Sequence, residues 1–262
     1  MSEPETLSVE VNGFTTRVWR KGNGPRIGYF AGYGGLPRWI PMLDRLAERR
    51  TVIVPSLPGF PGGDRGHSVL DTHLDWVLAM REIVVKSDLV GADLVGSSVG
   101  ASMAAEVAAF WPEAVRRLAL IAPFGLYDDG DPPTDPWAQR PDAVPALMCA
   151  NAGNWTQLKA MPDGANSMEW PVEQTRANEA AARIFWPLGN TGLEKRLRFI
   201  QAPTLLLWGD EDRIMPRGYA ERFASGIAGD THVTMIAGAG HLAELDQPDA
   251  TAAAILDWTR HT

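Results

Sequence analysis

Cysteine, basic charge and long apolar runs are all scarce in this sequence, and each scarcity argues against a class of protein. Cys149 is the one cysteine among 262 residues, which excludes an internal disulfide and a cysteine-rich zinc site. The formal net charge is −8, so we expect no binding to nucleic acid and none to an anionic membrane surface. No apolar run reaches the roughly 18 residues of a transmembrane helix, and the acidic start lacks the order of a secretory signal. Together these features predict a soluble, cytoplasmic protein without membrane insertion.

Strand and helix patterns alternate along most of the chain, and 45% of its residues are hydrophobic, enough for a sizeable core. Asn12-Gly13, between two alternating segments, predicts a tight hairpin turn over residues 6–20. The patterns that follow are the strand PRIGYFAG, a helix starting near Pro37, the strand TVIVPS, a helix over residues 70–85, the strand ADLVGS, a helix from about Val99 and the strand RLALIAP. Such alternation predicts a doubly wound, mostly parallel α/β sheet with helices on both faces.

The alternation stops over residues 124–195, a segment that carries several tryptophans and methionines in helix-like patterns. A structureless loop of this length is improbable inside a compact domain. We therefore predict a helical cap insertion over residues 124–195 and a core domain formed by residues 1–123 and 196–262. The alternation resumes with the strand APTLLLWG, a helix near residues 217–223, the strand THVTMIAG and a C-terminal helix over residues 242–260.

One motif in the predicted core domain is typical of a catalytic serine. Gly96-Ser97-Ser98-Val99-Gly100 matches G-x-S-x-G and lies after a predicted strand and before a predicted helix. A sharp turn at that point would hold Ser98 in a strained conformation, with its Oγ standing clear above the sheet edge. The alternative is a glycine-rich turn in which a serine only caps the helix.

A serine nucleophile needs a base, and the base needs an acid. In a doubly wound sheet both should follow later strands. The loop after TLLLWG offers Asp210, Glu211 and Asp212, and the loop after the next strand offers His241. The order serine, acid, histidine is that of an α/β-hydrolase.

Over essentially its whole length the chain resembles α/β-hydrolases of the esterase, lipase and carbon–carbon hydrolase type with a helical cap. Besides GSSVG, residues 208–216 match the family's W-G-x-x-D-x-x-x-P, and residues 240–241 match its G-H near the last strand. The resemblance implies Ser98 as nucleophile, His241 as base and Asp212 as acid, with Asp210 and Glu211 as alternative acids within the same loop.

The predicted oxyanion hole departs from the family pattern. In FAGYGG, Ala31 stands where the family usually has histidine, and Ser56 stands where aspartate is common. Because the donors are backbone groups, we still predict that the N–H groups of Tyr33 and Val99 bind the oxyanion. Gly32, Gly34 and Gly35 would allow close approach to the substrate.

The resemblance implies two-step acyl transfer that requires neither a metal nor an organic cofactor. We predict a carboxylesterase whose partner is a small-molecule, ester-like substrate, a small to medium apolar ester. Trp155 and Trp186 are candidate substrate-binding residues of the cap, the alternative being that they only pack it onto the sheet. Three alternatives stay open: a carbon–carbon hydrolase of vinylogous diketones, a cofactor-free perhydrolase, and a ligand receptor on a hydrolase fold.

Overall fold

The computed structural model describes residues 3–260, which form one eight-stranded sheet with helices packed against it. The strands are β1 (Glu5–Val11), β2 (Phe14–Lys21), β3 (Arg26–Phe30), β4 (Thr51–Pro55), β5 (Ala92–Ser97), β6 (Val115–Ile121), β7 (Thr204–Gly209) and β8 (Thr231–Ile236). Their order across the sheet is β1-β2-β4-β3-β5-β6-β7-β8. The pairs β1–β2 and β2–β4 are antiparallel and the remaining pairs are parallel. The predicted doubly wound, mostly parallel fold is confirmed.

The helices follow the predicted alternation. They are α1 (Pro41–Ala47), α2 (His73–Lys86), α3 (Ser98–Phe110), α4 (Val144–Met148), α5 (Ala152–Lys159), α6 (Trp170–Phe185), α7 (Leu193–Arg196), α8 (Gly218–Gly226), α9 (Ala243–Asp246) and α10 (Pro248–Trp258). Local signals explain several of their ends. For example, Thr72 and Asp75 form a reciprocal capping box at the start of α2.

The predicted hairpin turn at the start of the chain is confirmed. Val11 pairs with Phe14 across it, and the two residues between them have positive φ angles, 50° at Asn12 and 78° at Gly13. Both angles suit a tight turn that matches the twist of the two strands.

Two predicted helices have different bounds in the structure, in both cases because of a proline. The first begins at Pro41 rather than near Pro37, since a helix already running from Pro37 would need the N–H that Pro41 lacks. The C-terminal helix is divided in two: α9 ends at Asp246 and α10 begins at Pro248. Proline fits the first turn of a new helix but not the interior of a continuing one.

Helices α4–α7 all lie between β6 and β7, within the segment predicted to be a cap. Its bounds at residues 124–195 remain a proposal. Within residues 3–260, no helix combines the length and the apolar character needed to cross a membrane.

The sheet core brings the ends of several strands to one edge. Strands β5 and β7 are buried along their whole length, as expected for parallel strands covered on both faces. Because β3, β5, β7 and β8 are mutually parallel, the loops that follow them emerge at the same edge of the sheet. These loops contain the residues singled out by the sequence motifs.

Candidate active site

Ser98 occupies a sharp turn between β5 and α3. Its φ is 52°, in the left-handed region that residues other than glycine rarely adopt. The turn is so tight that a Cβ added to Gly96 would lie 2.4 Å from the Ala101 Cα, and one added to Gly100 would lie 2.3 Å from the Phe30 carbonyl oxygen. Small residues on both sides of Ser98 are therefore a steric requirement of this turn, as the motif predicts.

Asp212 is held by the loop that follows β7. Its Oδ1 accepts hydrogen bonds from the N–H groups of Ile214 and Met215, at 2.8 and 3.0 Å. The Trp208 indole N–H donates to the Met215 carbonyl at 2.9 Å and thereby ties the loop to the strand. With Oδ1 occupied, Oδ2 is free to face a different partner.

That partner is His241, which links the acid to the serine. Its Nδ1 lies 3.0 Å from Asp212 Oδ2, and its Nε2 lies 2.8 Å from Ser98 Oγ. Since a carboxylate only accepts hydrogen bonds, we assign the ring proton to Nδ1, which leaves Nε2 to accept from the Ser98 hydroxyl. Ser98 and His241 are both fully buried. The arrangement can move a proton from the serine to the imidazole and stabilise the resulting cation.

The other two acids of this loop face elsewhere. Asp210 Oδ1 accepts the Gly238 N–H at 2.7 Å on the exposed side of the loop. Glu211 is half exposed and lies 3.6 Å from Arg213. Of the three carboxylates offered by the sequence, Asp212 is the one that contacts His241.

The loop after β3, residues 31–36, passes alongside Ser98, and we call it the oxyanion loop. A Cβ added to Gly32 would lie 3.0 Å from the Ser98 Cβ, so this backbone and the serine are in close contact. Val99 is in the first turn of α3, where backbone N–H groups have no partner within the helix. Val99 thus follows Ser98 in the chain, and Tyr33 follows Gly32, whose backbone contacts Ser98; their role as oxyanion donors is a proposal.

Arg17 of β2 supports the far end of the oxyanion loop. Its guanidinium donates to the Leu36 carbonyl at 2.8 Å and to Ser56 Oγ at 3.1 Å. Ser56 Oγ in turn donates to the Pro61 carbonyl at 2.6 Å. Burial lowers the pKa of Arg17 to about 10, with Glu173 opposing the shift. The serine that departs from the family pattern is therefore part of a connected hydrogen-bond network.

Aromatic rings enclose the site on the side of α4–α7. Tyr33 packs against Trp137 and Trp155, with ring centroids 5.2 and 5.8 Å apart. Phe124 lies 5.5 Å from the His241 ring and 5.6 Å from Phe185. We call these six rings the aromatic cluster: Tyr33, Phe124, Trp137, Trp155, Phe185 and His241. Burial, and secondarily Asp135, raises the pKa of Tyr33 to about 12, so its phenol stays neutral.

The two candidate pocket tryptophans lie in different places. Trp155 is 7% exposed and belongs to the aromatic cluster, whereas Trp186 is 56% exposed. The buried face of α6 consists of Ala177, Ala180, Ala181, Ile184 and Phe185. Trp186 is the residue after α6, where the backbone leaves the helix for an extended conformation (φ −96°, ψ 138°). Phe185 is therefore the residue of this segment whose ring belongs to the aromatic cluster, through its contact with Phe124.

A buried carboxyl that the sequence did not single out lies near Ser97, the residue before Ser98. Glu244 of α9 is 2% exposed, and its Oε1 accepts the Tyr29 hydroxyl at 3.0 Å. Burial is the main cause that raises the pKa of Glu244, although the nearby hydroxyls of Ser97 and Tyr29 oppose it. Burial, then the Glu244 charge, raises the pKa of Tyr29 well above its ordinary value.

Comparison with known protein families identifies the family of this chain. Residues 22–254 match the model of the alpha/beta hydrolase family. The chain belongs to this family.

Three similar proteins illustrate the range of the family. The chain is 27% identical over 252 residues to the dihydrolipoyllysine-residue acetyltransferase component of the acetoin cleaving system of Cupriavidus necator, covering 91% of this chain and 64% of that protein. It is 26% identical over 221 residues to the 2-hydroxy-6-oxo-2,4-heptadienoate hydrolase of Pseudomonas putida, covering 81% and 77%. The crystal structure of carboxylesterase CesB from Bacillus subtilis matches with a TM-score of 0.71 at 20% identity, covering 100% and 93%.

The chain thus spans less than two thirds of the Cupriavidus necator protein. The likeness to CesB, at 20% identity, shows the fold. Membership of the family, together with the likeness to the Pseudomonas putida hydrolase, supports hydrolase activity; the bond that is cleaved is a separate question.

Proposed function

We propose that this protein is a serine hydrolase with Ser98 as nucleophile, His241 as base and Asp212 as acid, and that it acts as a carboxylesterase. The observation that carries the proposal is the continuous contact from Asp212 Oδ2 through both nitrogens of His241 to Ser98 Oγ, at 3.0 and 2.8 Å. The strained backbone of Ser98 supports it, because strain of this kind is concentrated at functional sites.

The geometry supports acyl transfer in two steps. His241 Nε2 takes the proton as Ser98 Oγ attacks the ester carbonyl carbon, and Asp212 stabilises the imidazolium. The N–H groups of Tyr33 and Val99 bind the developing oxyanion. Collapse of the tetrahedral intermediate releases the alcohol, which receives its proton from His241, and leaves an acyl group on Ser98. His241 then activates water, which releases the acid.

The surroundings of the triad favour a small to medium apolar acyl group. The aromatic cluster presents ring faces and edges to the site, and such surfaces bind apolar groups by area and shape. Because Ser98 and His241 are fully buried, the substrate requires an opening between the cap and the sheet. A bulky acyl chain would need a larger opening than a short one.

Hydrolysis of a p-nitrophenyl ester series from acetate to decanoate tests this proposal. We expect turnover that peaks at a short to medium chain and falls at least about 10³-fold in Ser98→Ala. Ser102→Ala is the matched control, because Ser102 lies one turn further along α3 and its buried hydroxyl has no hydrogen-bond partner in the described structure. Activity retained in Ser98→Ala would contradict the proposal. Tight binding of an ester analogue without turnover would instead favour a receptor.

A second candidate function has support from a relative. The name of the Pseudomonas putida protein describes a hydrolase of a hydroxy-oxo-dienoate, the substrate class of the carbon–carbon alternative. The same three residues could serve that reaction. Turnover of such a dienoate with a kcat/KM above that of every ester in the series would replace the carboxylesterase proposal.

A further inference from the structure

Lys159, the last residue of α5, reaches from the cap into the oxyanion loop. Its ammonium donates to three consecutive carbonyls, those of Tyr33, Gly34 and Gly35, at 3.3, 3.0 and 3.2 Å. An ammonium has three N–H donors, so these acceptors match its full capacity. The lysine is therefore committed to this loop, which argues against a role as a free substrate-binding cation.

The contact is close and fixed by its neighbours. A Cβ added to Gly34 would lie 3.0 Å from the Lys159 Nζ and 3.3 Å from the Asn178 Oδ1 of α6. The ammonium lies 4.7 Å from the centre of the Trp155 ring. Next to it, Arg38 donates to the Ala160 carbonyl at 2.5 Å, which ties the end of α5 to the segment after the oxyanion loop.

A hydrogen-bond path leads from this lysine to the proposed oxyanion donor. Lys159 binds the carbonyl of Gly34, and the same planar peptide group contains the N–H of Gly35. That N–H donates to the Gly32 carbonyl at 3.0 Å. The Gly32 carbonyl shares its peptide plane with the N–H of Tyr33, which must point the opposite way in a trans peptide. Two rigid planes thus connect Lys159 to the Tyr33 N–H.

We propose that Lys159 is a positioning residue that orients the Tyr33 N–H through the Gly34–Gly35 and Gly32–Tyr33 peptide groups, so that the oxyanion hole is complete when α5 is seated. This inference rests on the proposed function, in which the Tyr33 N–H binds the oxyanion. It also accounts for the family departure at Ala31, since Lys159 braces the loop in which a side chain usual in the family is missing. Hydrogen bonds in series polarise one another, which strengthens the last donor.

The protonation state of Lys159 affects this bracing. Burial among surrounding protein atoms lowers the pKa of Lys159 to about 7, from an ordinary 10.5, although the residue as a whole is only partly buried. The three carbonyl oxygens favour the charged form and oppose that shift. The other groups at the ammonium are the Trp155 ring, the Asn178 amide and the phenol of Tyr33, whose pKa of about 12 keeps it neutral. Arg38 lies next to it, on the segment after the oxyanion loop.

The sign of the pH effect follows from the donor count. Below its pKa, Lys159 supplies three N–H donors and a positive charge. Above it, the neutral amine has two donors and turns a lone pair toward a carbonyl. The contribution of Lys159 to turnover is therefore complete at low pH and is lost as the pH rises through a value between about 7 and 10.5.

The test measures kcat and KM for p-nitrophenyl butyrate from pH 6 to 10 in wild type, Lys159→Met, Lys159→Arg and Lys195→Met. In Lys159→Met we expect kcat to fall about 10- to 100-fold while KM stays within about threefold of the wild-type value. The alkaline decline, which is the fall in wild-type kcat as the pH rises through the pKa of Lys159, should be absent from this variant. Lys159→Arg keeps a permanent charge, so it should recover part of kcat and also lack the decline. Lys195→Met removes an exposed lysine of α7 and should match wild type.

Several outcomes would overturn the inference. They are a Lys159→Met kcat within about twofold of wild type, a rise in KM without loss of kcat, or an alkaline decline that persists in Lys159→Met. If Lys159→Met does not fold, the pH profile of Lys159→Arg tests the inference by itself. An alkaline decline in kcat of that variant would then overturn it. Labelling of Ser98 by a fluorophosphonate separates this failure from that of the proposed function. If Ser98 is labelled and the Lys159 variants keep the wild-type kcat, only the inference about Lys159 is refuted. If Ser98 of the wild type is not labelled, both the inference and the proposed function are refuted.

Discussion

At the scale of single residues, the candidate site depends on the two oxygens of Asp212 having different hydrogen-bond partners. Asp212 uses Oδ1 for two backbone N–H groups and Oδ2 for His241. The backbone contacts fix the carboxylate, and the fixed carboxylate sets which imidazole nitrogen carries the proton. Ser98 then meets the basic nitrogen and not the protonated one. Replacement of one carboxylate oxygen of Asp212 by an amide nitrogen should therefore change the hydrogen bond between His241 and Ser98.

Asp212→Asn tests this assignment. An amide at this position can donate to Nδ1, which would place the ring proton on Nε2 and remove the acceptor of the Ser98 hydroxyl. We expect kcat for the preferred ester to fall by about 10⁴-fold at neutral pH with little change in fold. Asp210→Asn is the matched control, since Asp210 contacts the Gly238 N–H on the exposed side of the loop. A comparable loss in Asp210→Asn would contradict the assignment of the acid.

At the scale of secondary-structure elements, α6 buries one face and ends beside the aromatic cluster. Its buried face recurs at Ala177, Ala180, Ala181 and Ile184, and it ends with Phe185 in contact with Phe124. The small alanines let the helix lie close to its neighbours, as Ala180 does at Gly59, and the Phe185 ring at its end packs against Phe124. Acyl-chain preference should therefore depend on Phe185 more than on Trp186.

Phe185→Leu is expected to shift the preferred p-nitrophenyl ester toward longer acyl chains. Leucine keeps an apolar side chain but removes the ring that meets Phe124, so space opens at the wall of the aromatic cluster. Trp186→Leu changes an exposed ring and serves as control. The ratio of kcat/KM for octanoate to that for butyrate is the quantity to compare. An unchanged ratio in Phe185→Leu, or a larger change in Trp186→Leu, would argue against this pocket wall.

At the scale of the whole molecule, burial of ionisable groups makes stability depend on pH. Glu244 is buried, and its pKa is raised above the ordinary 4.5. The folded protein therefore holds this proton at pH values where the unfolded chain has released it. The contribution of Glu244 to stability is complete below about pH 4.5 and is lost as the pH rises toward its folded pKa.

Glu244→Gln should remove that part of the pH dependence. The glutamine oxygen can still accept the Tyr29 hydroxyl, while no proton is lost as the pH rises. The free energy of unfolding, measured by urea titration at pH 5, 6, 7 and 8, is expected to decline less in Glu244→Gln than in wild type. Glu221→Gln, at an exposed position of α8, is the control and should follow wild type. Parallel curves for wild type and Glu244→Gln would show that the buried carboxyl does not govern this dependence.

Much of the fold could be read from local sequence, because the features involved act over short distances. The turn at Asn12-Gly13, the strand at Ala92–Ser97 and the helix after Ser98 each follow from patterns within a few residues. The three motifs around Ser98, Asp212 and His241 fall at the ends of parallel strands, and parallel strand ends share one edge of a sheet. Their meeting in space is thus a consequence of the fold class, although their roles in catalysis remain to be tested.

Only the tertiary structure decided which residues of distant segments face that edge. Nothing local to Lys159 indicates that its ammonium meets the carbonyls of Tyr33 and Gly34, more than a hundred residues earlier in the chain. Helical periodicity could have favoured Phe185 over Trp186, but not its contact with Phe124. From the sequence alone, Glu244 is an ordinary polar residue of a short helix, whereas the structure buries it against Tyr29. The physical reason is that periodicity specifies which face of an element is buried, whereas the partner of that face depends on how all the elements pack together.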